Sequence, residues 1–71
     1  MAMERVEMVV LRHGRTHERQ YAHLDTRYEP DDMRDLLVNY LESNHWAPGT
    51  WPQFEADFYT ARGRKTVRAV P

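Results

Sequence analysis

The sequence has no cysteine and only three glycines among 71 residues. The first absence excludes disulfide staples and thiolate-based metal sites, so a chain this short must hold together through a compact apolar core or by oligomerisation. No apolar run approaches the roughly 20 residues that a membrane-crossing helix needs, and the charged pair Glu4-Arg5 precedes a stretch too short for a secretory signal. The expectation is a soluble, cytoplasmic protein with no membrane partner. No single sign of charge dominates either. The 10 basic and 11 acidic side chains leave a net charge of −1, which opposes the uniform positive field of a general nucleic-acid binder. Met1-Ala2-Met3 reads as an alternative start or a short flexible addition, leaving a single small domain over residues 4–70.

Charge is segregated along the chain. Residues 1–24 carry +1, residues 25–57 carry −6 and residues 58–71 carry +4, giving an acidic middle and a basic end. From Arg5 to Leu11 the run RVEMVVL is rich in β-branched residues, with Val6, Met8 and Val10 on one face of a strand and Val9 and Leu11 on the other. Apolar side chains on both faces suit a central strand. Gly14 permits a tight turn, and Gln20–Tyr28 resumes a period of two through Ala22, Leu24, Thr26 and Tyr28, so a first hairpin is predicted.

Over Pro30–Asn44 the period changes. Met33, Leu36, Leu37, Tyr40 and Leu41 fall on one helical stripe. Pro30 suits the first helical position, and Asp31, Asp32 and Asp35 put negative charge beside the positive end of the helix dipole. Asn44 is expected to adopt a left-handed conformation that ends the helix, before the loop His45–Pro52. Within that loop Trp46 and Trp51 are expected to fold back on the helix end, because a small domain needs its large apolar side chains inside. Gln53–Thr60 returns to strand period with Phe54, Ala56 and Phe58 on one face. Gly63 then marks a second hairpin turn, and Thr66–Val70 reads as the last strand.

Two strands, a helix and two strands define an α+β fold: a small four-stranded sheet with one helix packed on one face. The order resembles the β-grasp arrangement of ubiquitin-like and immunoglobulin-binding bacterial domains. That resemblance spans nearly the whole chain and implies first and last strands lying parallel at the sheet centre. An antiparallel meander under the helix is the alternative, and element order by itself transfers no function.

The string Leu11-Arg12-His13-Gly14-Arg15-Thr16 resembles the phosphate-pocket motif of the histidine phosphatase superfamily. The resemblance implies a nucleophilic His13 and a phosphate clamp at Arg12, on a doubly wound sheet. That family also needs a second pocket histidine, a second arginine and an acidic proton donor. Here His45 follows a helix instead of a late strand. Phosphoryl transfer depends chiefly on positioned anion-binding groups, so the string is read as a basic turn, no catalytic residue is assigned, and a phosphohydrolase relic ranks third among the functional readings. His13 and His17 stand at helical spacing, but Gly14 opposes a helix there, and Tyr21 occupies the position where H-E-x-x-H needs its second histidine. No metal and no cofactor are assigned.

With the helix covering the face of Val6, Met8, Val10, Leu24, Phe54 and Phe58, the reverse face would display Val9, Leu11, Tyr21, His23 and Tyr59. Charged residues would rim it. Apolar and aromatic area of that kind marks protein interaction sites. The leading expectation is therefore a non-enzymatic interaction module, inhibitor or regulator that occupies a partner protein's surface through these five residues, a second copy of the chain included. Its compactness would suit a phage or mobile-element product such as an anti-CRISPR protein, although no motif marks that class. The alternative is nucleic-acid binding through Arg12, Arg15 and Arg19 with Arg62, Arg64 and Lys65. It depends on whether the two basic hairpin turns converge.

Overall fold

The computed structural model describes residues 2–71; Met1 lies outside the described residues. The chain forms β1 (Met3–Arg12), β2 (Arg15–Asp25), α1 (Pro30–Ser43), a short 3-10 helix (Pro48–Gln53), β3 (Phe54–Thr60) and β4 (Gly63–Arg68). All four strands belong to one antiparallel sheet in the order β2-β1-β3-β4. The α+β architecture is the one read from periodicity, but the strand order is neither that of the β-grasp nor that of a meander. The central pair is β1 and β3, antiparallel, with Val9 opposite Asp57. α1 returns the chain past β2 and β1, so β3 enters on the free edge of β1 and β4 adds beyond it as a hairpin. Side-chain alternation is the same in all three arrangements, which is why periodicity could not choose among them.

Each turn is built from local chemistry. Arg12 and Arg15 pair across the two-residue turn His13-Gly14. Both turn residues have positive φ, 53° and 76°, as a tight hairpin twisted with its strands requires. At the second hairpin Thr60 Oγ1 donates to the Gly63 carbonyl at 2.8 Å and accepts from the Arg62 N–H at 3.0 Å. β2 starts at Arg15, earlier than its hydrophobic alternation suggested, because the polar stretch Arg15–Arg19 is held by pairing to β1.

That pairing contains a bulge. Val10 faces Glu18 while Leu11 faces Thr16, which leaves His17 as the extra residue and inverts the side-chain alternation around it. His17 thereby joins Glu18 on the helix side, edge-on to Trp46 and Phe54 at 5.8 and 5.9 Å between ring centroids.

The core lies between α1 and one sheet face. Val6, Met8 and Val10 of β1, Leu24 of β2 and Phe54, Ala56 and Phe58 of β3 meet Met33, Leu37, Tyr40 and Leu41 of the helix. Each large side chain removed from water contributes roughly 1.5–3 kcal/mol before the entropy of ordering is subtracted. Trp46 and Trp51 pack against the edge of this core, and Trp51 Nε1 donates to the Trp46 carbonyl at 3.1 Å. Asn44 caps α1 at an ordinary φ of −99°. The left-handed residue expected at Asn44 falls one position later, at His45 (φ 63°), because the Asn44 side chain instead bonds back to the Tyr40 carbonyl at 2.8 Å.

At the opposite end of the sheet Glu4 acts as a clamp. One carboxylate oxygen accepts from the Tyr28 hydroxyl and the other from the Ala61 N–H at 2.7 Å. One side chain thus ties the approach to α1 and the β3–β4 turn to the first strand.

Candidate functional site

Among the described residues no helix packs on the sheet face away from α1. The geometry of that face follows from register. Glu7 of β1 lies opposite Tyr21 of β2 on one side and Tyr59 of β3 on the other, and Tyr59 lies opposite Arg64 of β4. One row therefore crosses the whole sheet as Tyr21, Glu7, Tyr59 and Arg64. The tyrosines are the most open aromatic side chains of the row, Tyr21 at 61% and Tyr59 at 45% exposure.

The neighbouring rows are charged. Arg5 stacks its guanidinium 4.0 Å from the Tyr21 ring centroid, Arg19 approaches Glu7 at 3.7 Å, and Asp57 accepts from Thr66 Oγ1 at 2.6 Å. Alternation adds Arg64 and Arg68 of β4 to the same face, with Glu55 of β3.

Of the five residues expected to form an apolar patch, His23 is exposed with the two tyrosines and Leu11 is half-buried. Val9 departs from the expectation. It is only 3% exposed, so it is not a surface residue of the single chain. It sits mid-face between Arg19 and Asp57, and longer neighbours close over a short β-branched side chain at such a position. The face is consequently a mosaic of aromatics and charges and not a greasy patch. Arg5, which reaches the mosaic first, escaped attention in the sequence. Strand alternation from Val9 back through Glu7 would have found it.

The six basic residues of the nucleic-acid reading are not brought together. The first turn packs on the 3-10 helix, where the His13 N–H donates to the Gln53 carbonyl at 2.9 Å. The second turn packs on Glu4 at the far end of β1, about 30 Å away at the rise of an extended strand. Arg12 lies on the helix side, with its guanidinium 4.7 Å from the Trp46 ring and its Nε donating to Gln53 Oε1 at 2.9 Å. Lys65 sits opposite Phe58 on that same side, whereas Arg19 and Arg64 belong to the open face. Arg15 and Arg62 mark the two turns, and Arg62 leans toward the Tyr28 ring at 5.9 Å.

The motif that resembled a phosphate pocket has a related fate. His13 borders an open cleft of about 280 Å³ with Gln53, Glu55 and Arg68, while Arg12 is held on Trp46. The sheet is antiparallel throughout, unlike the doubly wound scaffold which that resemblance implied.

Four groups titrate away from their ordinary values, among them the Arg27 guanidinium, raised by its hydrogen bond to Asp25 and by that carboxylate's charge. The backbone N–H of Arg27 holds the Asp25 carboxyl low, reinforced by the Arg27 side chain and opposed by desolvation. The hydrogen bond to Glu4 raises the Tyr28 phenol, with desolvation second. Burial, then the bond to Glu18, pushes Tyr40 up to about 12. All four belong to the frame and none lies in the tyrosine row.

Among the described residues no helix is long and apolar enough to cross a membrane, and no group of three or more His, Asp or Glu side chains is placed to hold a metal ion. No protein-family model matches the chain, and neither does any curated protein or solved structure.

Proposed function

We propose that this chain is a non-enzymatic protein-interaction module that acts by occupying a partner protein's surface with its open sheet face. The observation that carries the proposal is the pair Tyr21 and Tyr59, set out on two strands of one rigid sheet at 61% and 45% exposure with Arg5, Arg19 and Arg64 beside them. Tyrosine and arginine dominate the residues that supply binding energy at protein interfaces. A tyrosine buries large area at low entropic cost and keeps a hydroxyl for hydrogen bonding. Val9 and Leu11 contribute by supporting the face from beneath, and His23 extends it.

The test is a photo-activated cross-linking residue placed at Tyr59, at Tyr21 and, as a control, at exposed Glu42 on the far side of α1, in native lysate. The reading expects one discrete protease-sensitive adduct from both tyrosine positions, competed by excess unlabelled chain and missing from the Glu42 position. Adducts equal at all three positions would defeat it. The second reading, single-stranded nucleic acid, draws on the four arginines Arg5, Arg19, Arg64 and Arg68 gathered on the tyrosine face, since stacking platforms among cations bind such strands. It expects a nuclease-sensitive adduct, with affinity for an oligonucleotide that falls steeply with salt.

A further inference from the structure

β2 is an 11-residue strand at the margin of the sheet, and among the described residues no strand pairs with its outer edge. Such an edge is a template for another strand. Two adjoining hollows of about 400 and 470 Å³ run along it, between β2 and α1, sharing His23 and Leu36 as common walls. The first holds Met3, Leu24, Asp32 and Asp35 with the ion pair of Arg27 and Asp25; the second holds Gln20, Ala22 and Tyr40.

We propose that this edge is a self-association site, taken by β2 of a second copy in antiparallel pairing about Gln20. The argument is charge complementarity within the strand's own surroundings. Asp32 and Asp35 lie beside the second half of β2, and among the described residues neither is in an ion pair. The first half of β2 carries Arg15 and Arg19, and its one acid, Glu18, is engaged by the Tyr40 hydroxyl. Antiparallel pairing sets the basic half of each copy alongside the acidic half of the other.

The bulge at His17 makes this match three-dimensional. Because it inverts the alternation, Arg15, paired with Arg12, projects to the helix side, the side on which Asp32 and Asp35 of the second copy would stand. On the open face the same register sets Arg19 against the second copy's Tyr21, repeating the contact that Arg5 already makes within the chain. A two-fold interface makes each of these contacts twice.

The other edge argues the opposite way. β4 is six residues long and carries Arg64, Lys65 and Arg68 with no acid, the composition that keeps like edges apart. Pairing through β2 would join two sheets into one of eight strands and place both tyrosine rows on a common face.

Sedimentation equilibrium and amide hydrogen exchange test the proposal. The parent chain should approach twice its 8.5 kDa mass with rising concentration at low salt, and protection should rise with concentration along Glu18–Ala22 but not along β4. The variant Arg15→Glu, and the double variant Asp32→Lys with Asp35→Lys, should each weaken self-association at least roughly tenfold through like-charge juxtaposition. Mixing the two restores opposite charges at both contacts and should recover a mixed dimer, which also shows that both variants fold. A parent chain monomeric at millimolar concentration, concentration-dependent protection along β4, or a mixture that stays monomeric while both variants keep the parent circular dichroism would overturn it. The Tyr59→Glu variant separates this site from the partner-binding face. It should abolish the cross-linked adduct and leave the dimer intact.

Discussion

Replacing Tyr40 by Phe removes one oxygen atom from the buried face of α1, and its effect should change sign with pH. Tyr40 is 5% exposed, and its hydroxyl donates to Glu18 Oε1 at 3.0 Å. Burial and the adjacent carboxylate both favour the neutral phenol and raise it from 10.0 to about 12. Below pH 10 the phenol is neutral whether the chain is folded or not, so its contribution is fully present. As pH climbs through the folded value, the unfolded chain ionises first and that contribution is lost. Two pH units of displacement correspond to about 3 kcal/mol, a large share of the roughly 4–10 kcal/mol expected for a domain of this length. At pH 7 losing a hydrogen bond to an exposed carboxylate costs about 1–2 kcal/mol. The parent should therefore be the more stable protein at neutral pH, and the Phe variant should overtake it in strong alkali. Tyr28, also raised, is common to both proteins and cancels in the difference. Urea unfolding followed by far-ultraviolet circular dichroism at a series of pH values between 7 and 12 measures the gap. Parallel stability curves for the two proteins would refute the reasoning.

Three further outcomes follow from packing and backbone geometry. Phe58→Ala empties a fully buried site at the centre of β3 and should cost about 3–5 kcal/mol, leaving a protein largely unfolded at 37 °C by thermal melt. Gly63→Ala forces a side chain onto a φ of +102° and should cost about 1–2 kcal/mol, whereas Gly49→Ala, which meets open space without that strain, should shift the melting temperature little. Because Asp25 lies below its ordinary 3.8, its contribution is present above that pH and lost as pH falls through the depressed value. Asp25→Asn should accordingly flatten the acid limb of the stability curve, and an unchanged acid limb would remove Asp25 from the account.

The helix was legible because Met33, Leu37, Tyr40 and Leu41 repeat on one stripe and Pro30 marks its first turn. The covered face was legible because Val6, Met8, Val10, Phe54 and Phe58 alternate without interruption. Strand order was not, since it is decided by which edge β3 joins after α1, a long-range choice that leaves alternation unchanged. The 3-10 helix at Pro48–Gln53 read as a plain loop because proline, glycine and threonine satisfy either. On the open face Tyr21, His23 and Tyr59 stand where alternation put them, but Val9 does not, because exposure at mid-sheet depends on neighbours on two other strands. The first half of β2 looked like turn because its polar residues earn no place by burial; backbone pairing to β1 holds them, and nothing local records the bulge at His17.

The central position of β1 bears on how the chain is made. β1 is synthesised before β2 and can close a hairpin with it early, yet its other edge is satisfied only by Phe54–Thr60. Until those residues are translated, the segment Val6–Val10 waits with one flank bare, and a chain stopped before Phe54 would hold a hairpin and helix with an incomplete interior. Quality-control proteases should therefore clear chains cut before Phe54 far faster than chains that carry β3 and β4.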